Sequence, residues 1–362
     1  MEEEARGGIS MSKQKREAGY LFEPGTKKED PWYVKIQRLD SKIFITVVIV
    51  SVAAVLIMPL NIPVFVEPFV LEVAEWIESL EAGDVIWLAQ HYSVGSITDY
   101  GALYTSLITH IQLKSGALKA LGKDVDGDGK PDGLKLIMIP MAVDGQIQFI
   151  WQIGRTKAYW PDNIKYGDDW SLWPYQVLSD FIYQKFVNEG FTTTYTKDYY
   201  NGTAWDKLPC TKFVKSPRDI DINIGQDATT SARIWALYGK DPIDHSASKY
   251  TKYSQSGRRR PYAAAYPVQV WDSAAQAVAM PYYTAGLYSG FFNGVRNGGE
   301  YEMWVNQHYY QKNIPALGRV PTNTGFGLNT LDAMNLAQTW TFTMMILGNI
   351  GYYVQKRKGR VT

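Results

Sequence analysis

The feature that most constrains this chain is a run over residues 43–60 that contains no charged side chain. At ~1.5 Å of rise per residue, a helix there covers most of a ~30 Å hydrocarbon core, and the apolar residues of 62–66 extend it. Its many Val and Ile residues weaken a helix in water. In lipid every backbone N–H and C=O must bond within the segment, which favours helix. Residues 1–42 exceed the usual length of a signal-peptide leader, and no small-x-small cleavage site follows the run, so an uncleaved anchor is expected.

A second uncharged stretch occupies 333–354 and is followed at once by Lys356, Arg357, Lys358 and Arg360. Asn335, Gln338, Thr339, Thr341, Thr343 and Asn349 dilute it; in a span such side chains turn toward another helix. Tyr352 and Tyr353 suit a membrane–water interface, and an amphipathic soluble helix is the alternative. Arg6, Lys13, Lys15, Arg16, Lys27, Lys28, Lys35, Arg38 and Lys42 precede the first run, so both flanks favour the cytoplasm. The expected plan is a polar, largely disordered cytoplasmic segment (1–42), a membrane helix (43–66), an extracytoplasmic domain (67–330) with inserts near 188–262, a second membrane helix (331–355) and a basic cytoplasmic tail (356–362).

Within the middle region, 68–80 has an amphipathic helical period, with Phe69, Val73, Trp76, Ile77 and Leu80 on one face. The apolar runs 83–90 and 134–140 read as buried strands, with a helix at 100–121 between them. Further helices are expected at 146–159, 177–189 and 229–238, and strands at 169–173, 220–224 and 267–270. Strands alternating with helices predict an α/β fold, an open Rossmann-like and mostly parallel sheet flanked by the two membrane helices. A composition of 46% apolar and 20% charged residues supports a real core, and a net charge of +1 gives no reason to expect nucleic acid. The 12 Trp and 25 Tyr suit interfaces or sugar stacking. With Cys210 as the single cysteine, neither an intrachain disulfide nor a cysteine-based zinc site can form.

Gly286, Gly290, Gly294 and Gly298 recur every four residues, the spacing of one helix face, and predict close helix packing against the sheet or a sister subunit. The uncharged stretch 274–292 allows a third span, a reading that Pro281 and the break in charge agreement disfavour. Met280–Gly290 in this region, the sequence Gly298-Gly-Glu-Tyr-Glu302 and Gly348-Asn-Ile350 in the last stretch resemble a group of uncharacterised prokaryotic membrane proteins. That resemblance implies an N-terminal anchor, a Rossmann-like domain and a C-terminal apolar helix, and no catalytic residue.

The sharpest motif is Asp124-Val-Asp126-Gly-Asp128-Gly129-Lys-Pro-Asp132. Carboxylates at loop positions 1, 3, 5 and 9 with Gly at 6 form an oxygen cage for Ca2+, similar to dockerin and thrombospondin type 3 loops. Lys135 stands where an EF-hand has its bidentate Glu, so the shell needs other donors; a polar turn is the plainer alternative. A ligand site is expected beyond the strand carboxyl ends, from His91, Ser93, Ser96 and Asp99 after the first strand and Gln226 and Asp227 after the fourth. Polar strand-end turns are the plainer reading of both. No G-x-S-x-G, G-x-G-x-x-G or P-loop is present. His110, His245 and His308 lack metal spacing and read as surface or satisfied residues, and Arg258–Arg260 as a solvated loop. Asn201-Gly-Thr203 is an N-glycosylation sequon, meaningful for an external domain.

Taken together the sequence favours a membrane-anchored, non-enzymatic subunit or scaffold that is calcium-stabilised, contacts lipid, and forms homo-oligomers or joins other membrane subunits. A ligand-binding sensor using the strand-end loops is the second expectation, and an extracytoplasmic hydrolase built on His91 the third.

Overall fold

A computed structural model describes residues 41–57, 65–90, 97–176, 185–186, 188–226, 266–271, 276–310 and 326–357. The chain divides into two units, Met1–Val50 with Ala337–Thr362, and Ser51–Leu336. Helix α1 (Ser41–Ile57) carries exposed Ile43, Ile45, Val47, Ile49, Val50, Leu56 and Ile57. Among the described residues no helix is long and apolar enough to cross a membrane. The rest of the uncharged run, 58–60, lies outside the described residues.

In the second unit, α2 (Pro68–Glu78) opens on a proline, which has no N–H to leave unpaired in the first turn. Its Phe69, Val70, Val73, Ala74, Trp76 and Ile77 are buried, the face expected from the sequence period. There follow β1 (Val85–Gln90), α3 (Ile97–Ala120), β2 (Lys135–Pro140), α4 (Val143–Thr156), β3 (Trp170–Leu172), β4 (Ile222–Gln226), β5 (Tyr266–Trp271), α5 (Gln276–Thr284), β6 (Gly290–Asn293) and α6 (Gly294–Val305). A π-helical turn, Asn306–Tyr310, continues α6, and α7 (Phe326–Arg357) ends the described chain.

The six strands are all parallel, in the order β3-β2-β1-β4-β5-β6. Fully buried apolar runs such as Val85–Gln90 and Lys135–Pro140 suit a sheet covered on both faces. On one face Ile86, Leu88, Leu136, Met138, Ile222 and Ile224 meet α2, α3 and α4 in the main core. The other face presents Val85, Trp87, Ala89, Ile137 and Ile139 to Trp173, Phe186, Phe191, Tyr195 and Trp205. In the described residues that second layer is aromatic-rich, with helical residues at 185–186 and 188–189 and short 3₁₀ turns such as Phe191–Thr193 and Trp205–Lys207. Aromatic rings pack this layer: Trp87 lies 5.0 Å from Phe191 and Trp173 4.6 Å from Trp205.

One expectation is corrected. Gly286, Gly290, Gly294 and Gly298 do not share a helix face. Gly286 sits in a turn at φ +70°, Gly290 opens β6, Gly294 opens α6 at φ +61°, and only Gly298 lies within a helix. Left-handed backbone at Gly286 and Gly294 cannot continue a helix, and this is why the four-residue repeat misleads. Close approach survives at two of the four positions. A Cβ on Gly290 would collide with Val73 and stand 3.0 Å from the Phe69 carbonyl, and one on Gly298 would stand 3.2 Å from the Leu103 amide. Both pack against the chain's own helices, α2 and α3. The expected helix 229–238 and most of 177–189 lie outside the described residues.

Candidate ligand site at the strand carboxyl ends

After β1 the chain builds outward through β2 and β3, then returns to place β4 on the other side of β1. The sheet therefore reverses its winding between β1 and β4. At such a switch point the loops leaving the two strands part, opening a crevice at the carboxyl ends where ligands of open α/β sheets bind. Ala89 pairs in register with Gly225, so the last residues of the two strands, Gln90 and Gln226, border this crevice.

Gln90 follows Ile86 and Leu88 on the helix-covered face and is fully buried. Its Nε2 donates to Gln152 Oε1 on α4 at 3.2 Å, while its own Oε1 has no hydrogen-bond partner. Gln148, one turn earlier on the buried face of α4, likewise has an unpartnered Oε1. Gly145 lets α4 approach, since a Cβ there would lie 2.8 Å from the Gln90 carbonyl oxygen. Tyr104 on α3 donates its hydroxyl to the Ala89 carbonyl at 2.5 Å and pins the strand end from the same side. On the opposite face Asn223 is 1% exposed, and neither its Nδ2 nor its Oδ1 is bonded. Buried amides without partners cost stability, so those of Gln90 and Gln148 at the end of β1 form a pattern with a chemical meaning, and Asn223 lies two residues before Gly225 on the other face.

Of the residues expected here, His91, Ser93, Ser96 and Asp227 lie outside the described residues. Asp99 falls in the first turn of α3 and Gln226 ends β4; both are described by backbone alone. Gln90, Gln148, Gln152 and Asn223 were not singled out by the sequence. The available signal was a polar side chain inside an apolar run, and glutamines four apart on α4 at otherwise buried positions.

The aspartate loop is a second candidate. Oxygens of Asp124, Asp126 and Asp128 lie within 4.8 Å of one another. The Asp124 carboxylate accepts the Gly127 and Gly129 amides at 2.7 and 2.9 Å, which folds the loop around it. Positive φ at Gly127 (+75°) and Gly129 (+83°) permits that path. Asp132 does not join the triad. Its Oδ1 binds Lys135 Nζ at 2.6 Å and its Oδ2 accepts the Val125 amide at 2.8 Å, so it braces the loop's base. Burial pushes the Asp132 carboxyl up, but Lys135 and the backbone donors outweigh this and hold it below the ordinary range. Lys212 Nζ stands 3.1 Å from Asp126 Oδ2, so the protein supplies its own cation to the rim. Three hard carboxylate oxygens converging in a short loop fit a calcium-type ion that completes its shell with carbonyls or water.

Asn201 is exposed in a turn braced by Asp198, which accepts the amides of Tyr200, Asn201 and Thr203 as well as the Tyr166 hydroxyl. The sequon is thus accessible. His110 is a fully buried core residue bonded at both nitrogens, and His308 lies half-buried against Trp304, while His245 and Arg258–Arg260 lie outside the described residues. No family model, curated protein or solved structure matches the chain.

Proposed function

We propose that this chain is a membrane-anchored binding protein whose parallel α/β domain takes a small polar ligand at the switch point between β1 and β4. The observation that carries the reading is the convergence of the strand-order reversal with buried, unpartnered amide oxygens on Gln90 and Gln148. The uncharged run 43–60, with the exposed apolar surface of α1, supports the anchor, and the flanking basic residues support an extracytoplasmic domain. A scaffold or oligomer subunit is the less favoured reading, since the glycines that motivated it pack inside the domain.

The test is a thermal-shift screen of the full chain in mild detergent against sugars, peptides, amino acids and nucleosides. A saturable rise in midpoint that weakens in Gln90→Leu supports binding at this edge. No saturable rise, together with a native mass showing only a higher-order assembly, would replace it with the scaffold reading. Protease protection in sealed cells tests the topology.

A second reading concerns stability. The Asp124–Asp126–Asp128 triad supports a structural Ca2+ site of modest affinity, suited to millimolar external calcium. Isothermal titration with calcium on wild type and Asp124→Asn tests it: heat in the first and none in the second is expected.

A further inference from the structure

Among the described residues no group bonds the amide of Asn223. It lies on the face of β4 opposite the helices, next to Trp87 in register, and is buried with both polar atoms free. Its Nδ2 and Oδ1 lie 3.8 and 3.9 Å from the point a Cβ on Gly225 would occupy. Among the described residues no other atom comes within 4 Å of that point. The register partners of Gly225 are Ala89 on β1 and Gln269 on β5, so on the β1 side the strands present only a hydrogen and a methyl group beside the amide. The amide thus leans along β4 toward Gly225 and the carboxyl edge, with small residues on its β1 side. Trp87, stacked on Phe191 at 5.0 Å, walls one side.

We propose that Asn223 reads a planar, uncharged group that carries an N–H donor beside an acceptor. The inference rests on the switch-point reading and names the ligand chemistry of that site. An amide offers one donor side and one acceptor side at fixed separation. A carboxylate or phosphate would satisfy Nδ2 and leave Oδ1 facing negative charge, and an ammonium would satisfy Oδ1 alone. A matched donor–acceptor edge satisfies both, as Asn and Gln do with the N6/N7 edge of adenine. In a water-poor site, a group unable to make both bonds leaves a buried polar atom unpaired, and this is the source of discrimination. A nucleobase and a primary carboxamide share this chemistry.

The experiment is isothermal titration of the full chain in mild detergent with adenosine and, separately, with nicotinamide. Purine riboside, which lacks the adenine N6 amino group and so carries no base N–H donor, is the mismatch control. Saturable heat is expected with one of the two, identifying the source. If that one is adenosine, purine riboside should bind about tenfold more weakly or worse. Asn223→Leu should weaken the same ligand by about tenfold or more while leaving the thermal midpoint equal or higher. Gly225→Val should do likewise by filling the space beside the amide. Absence of heat with both probes at millimolar concentration would overturn the proposal. So would Asn223→Leu binding as wild type, or a crystal structure in which a single ordered water bridges the Asn223 amide in the presence of the probe. If another compound in the broader screen binds, weakens in Gln90→Leu and ignores Asn223→Leu, the switch-point reading stands and this inference alone fails.

Discussion

Glu78 on α2 holds Nε2 of His110 on α3 at 2.9 Å, inside a core where the imidazole has no exposed surface. The other ring nitrogen faces the Tyr301 hydroxyl of α6 at 2.5 Å. Lys114 adds a bond to the Glu78 carbonyl at 2.7 Å, and Tyr309, from the π-helical turn, donates its hydroxyl to the same carboxylate. One carboxylate thus ties three helices and a turn into the layer that backs the sheet. Burial pushes the Glu78 carboxyl up, but His110, Tyr309 and Lys114 outweigh it and hold it far below the ordinary range.

His110→Leu removes one of these partners from a half-buried carboxylate and also strands the Tyr301 hydroxyl. A loss of about 2–3 kcal/mol is expected, read as a lower urea midpoint with an unchanged slope. The pH dependence has a fixed sign. A depressed folded-state value means that the contribution of Glu78 is fully present above the unfolded glutamate range and is lost as pH falls through the folded value. Stability should fall on acidification below about pH 4, and Glu78→Gln should flatten that part of the curve.

Gly290→Ala forces a methyl group onto Val73 and close to the Phe69 carbonyl. A cost of about 1–3 kcal/mol is expected, measured by thermal unfolding. The native mass should be the same as that of wild type, because the glycine meets α2 of its own chain.

Replacing Asn223 by Leu removes two unpaired buried polar atoms at similar volume. A gain of about 1–3 kcal/mol is expected in urea unfolding without ligand. A stabilising substitution in the core marks a residue retained for something other than the fold.

Cys210 is 2% exposed, and burial, opposed only in part by a bond to Ser171, pushes its thiol up to about 12. The thiolate is the reactive form, so an aromatic disulfide reagent at pH 8 should label the native chain only at the rate of unfolding. Rapid labelling in buffer would contradict this placement.

Calcium at millimolar concentration should raise the thermal midpoint of wild type and leave that of Asp126→Asn unmoved. Lys212→Met removes the cation 3.1 Å from Asp126 and should shift the calcium titration to lower concentration.

Elements whose period is set by local burial were legible in the sequence. The runs at Val85–Gln90 and Lys135–Pro140 and the amphipathic face of α2 lie where apolar spacing put them. What could not be read depends on distant partners. β6 is only Gly290–Asn293, and its glycine suits the close approach of α2, not a helix ridge. The alternation at 220–224 gave Asn223 a polar side, yet the aromatic layer around Trp87 buries that side. At the site, the sequence pointed to the strand ends because loops after β1 and β4 must part where the winding reverses. For Gln90 and Gln148 it offered only a polar residue in an apolar run and glutamines four apart, since an unpaired amide is a property of its surroundings. Asp132 likewise fits the calcium pattern by spacing, while three-dimensional proximity gives it to Lys135.

Hydrogen–deuterium exchange on the full chain, with and without the screening compound that gives the largest saturable shift, tests the central claim most directly. Binding at the switch point predicts new protection concentrated in peptides that end β1 and β4, around Ala89–Gln90 and Gly225–Gln226. Protection confined to the aspartate loop or to α7, with those strand ends unchanged, would contradict it.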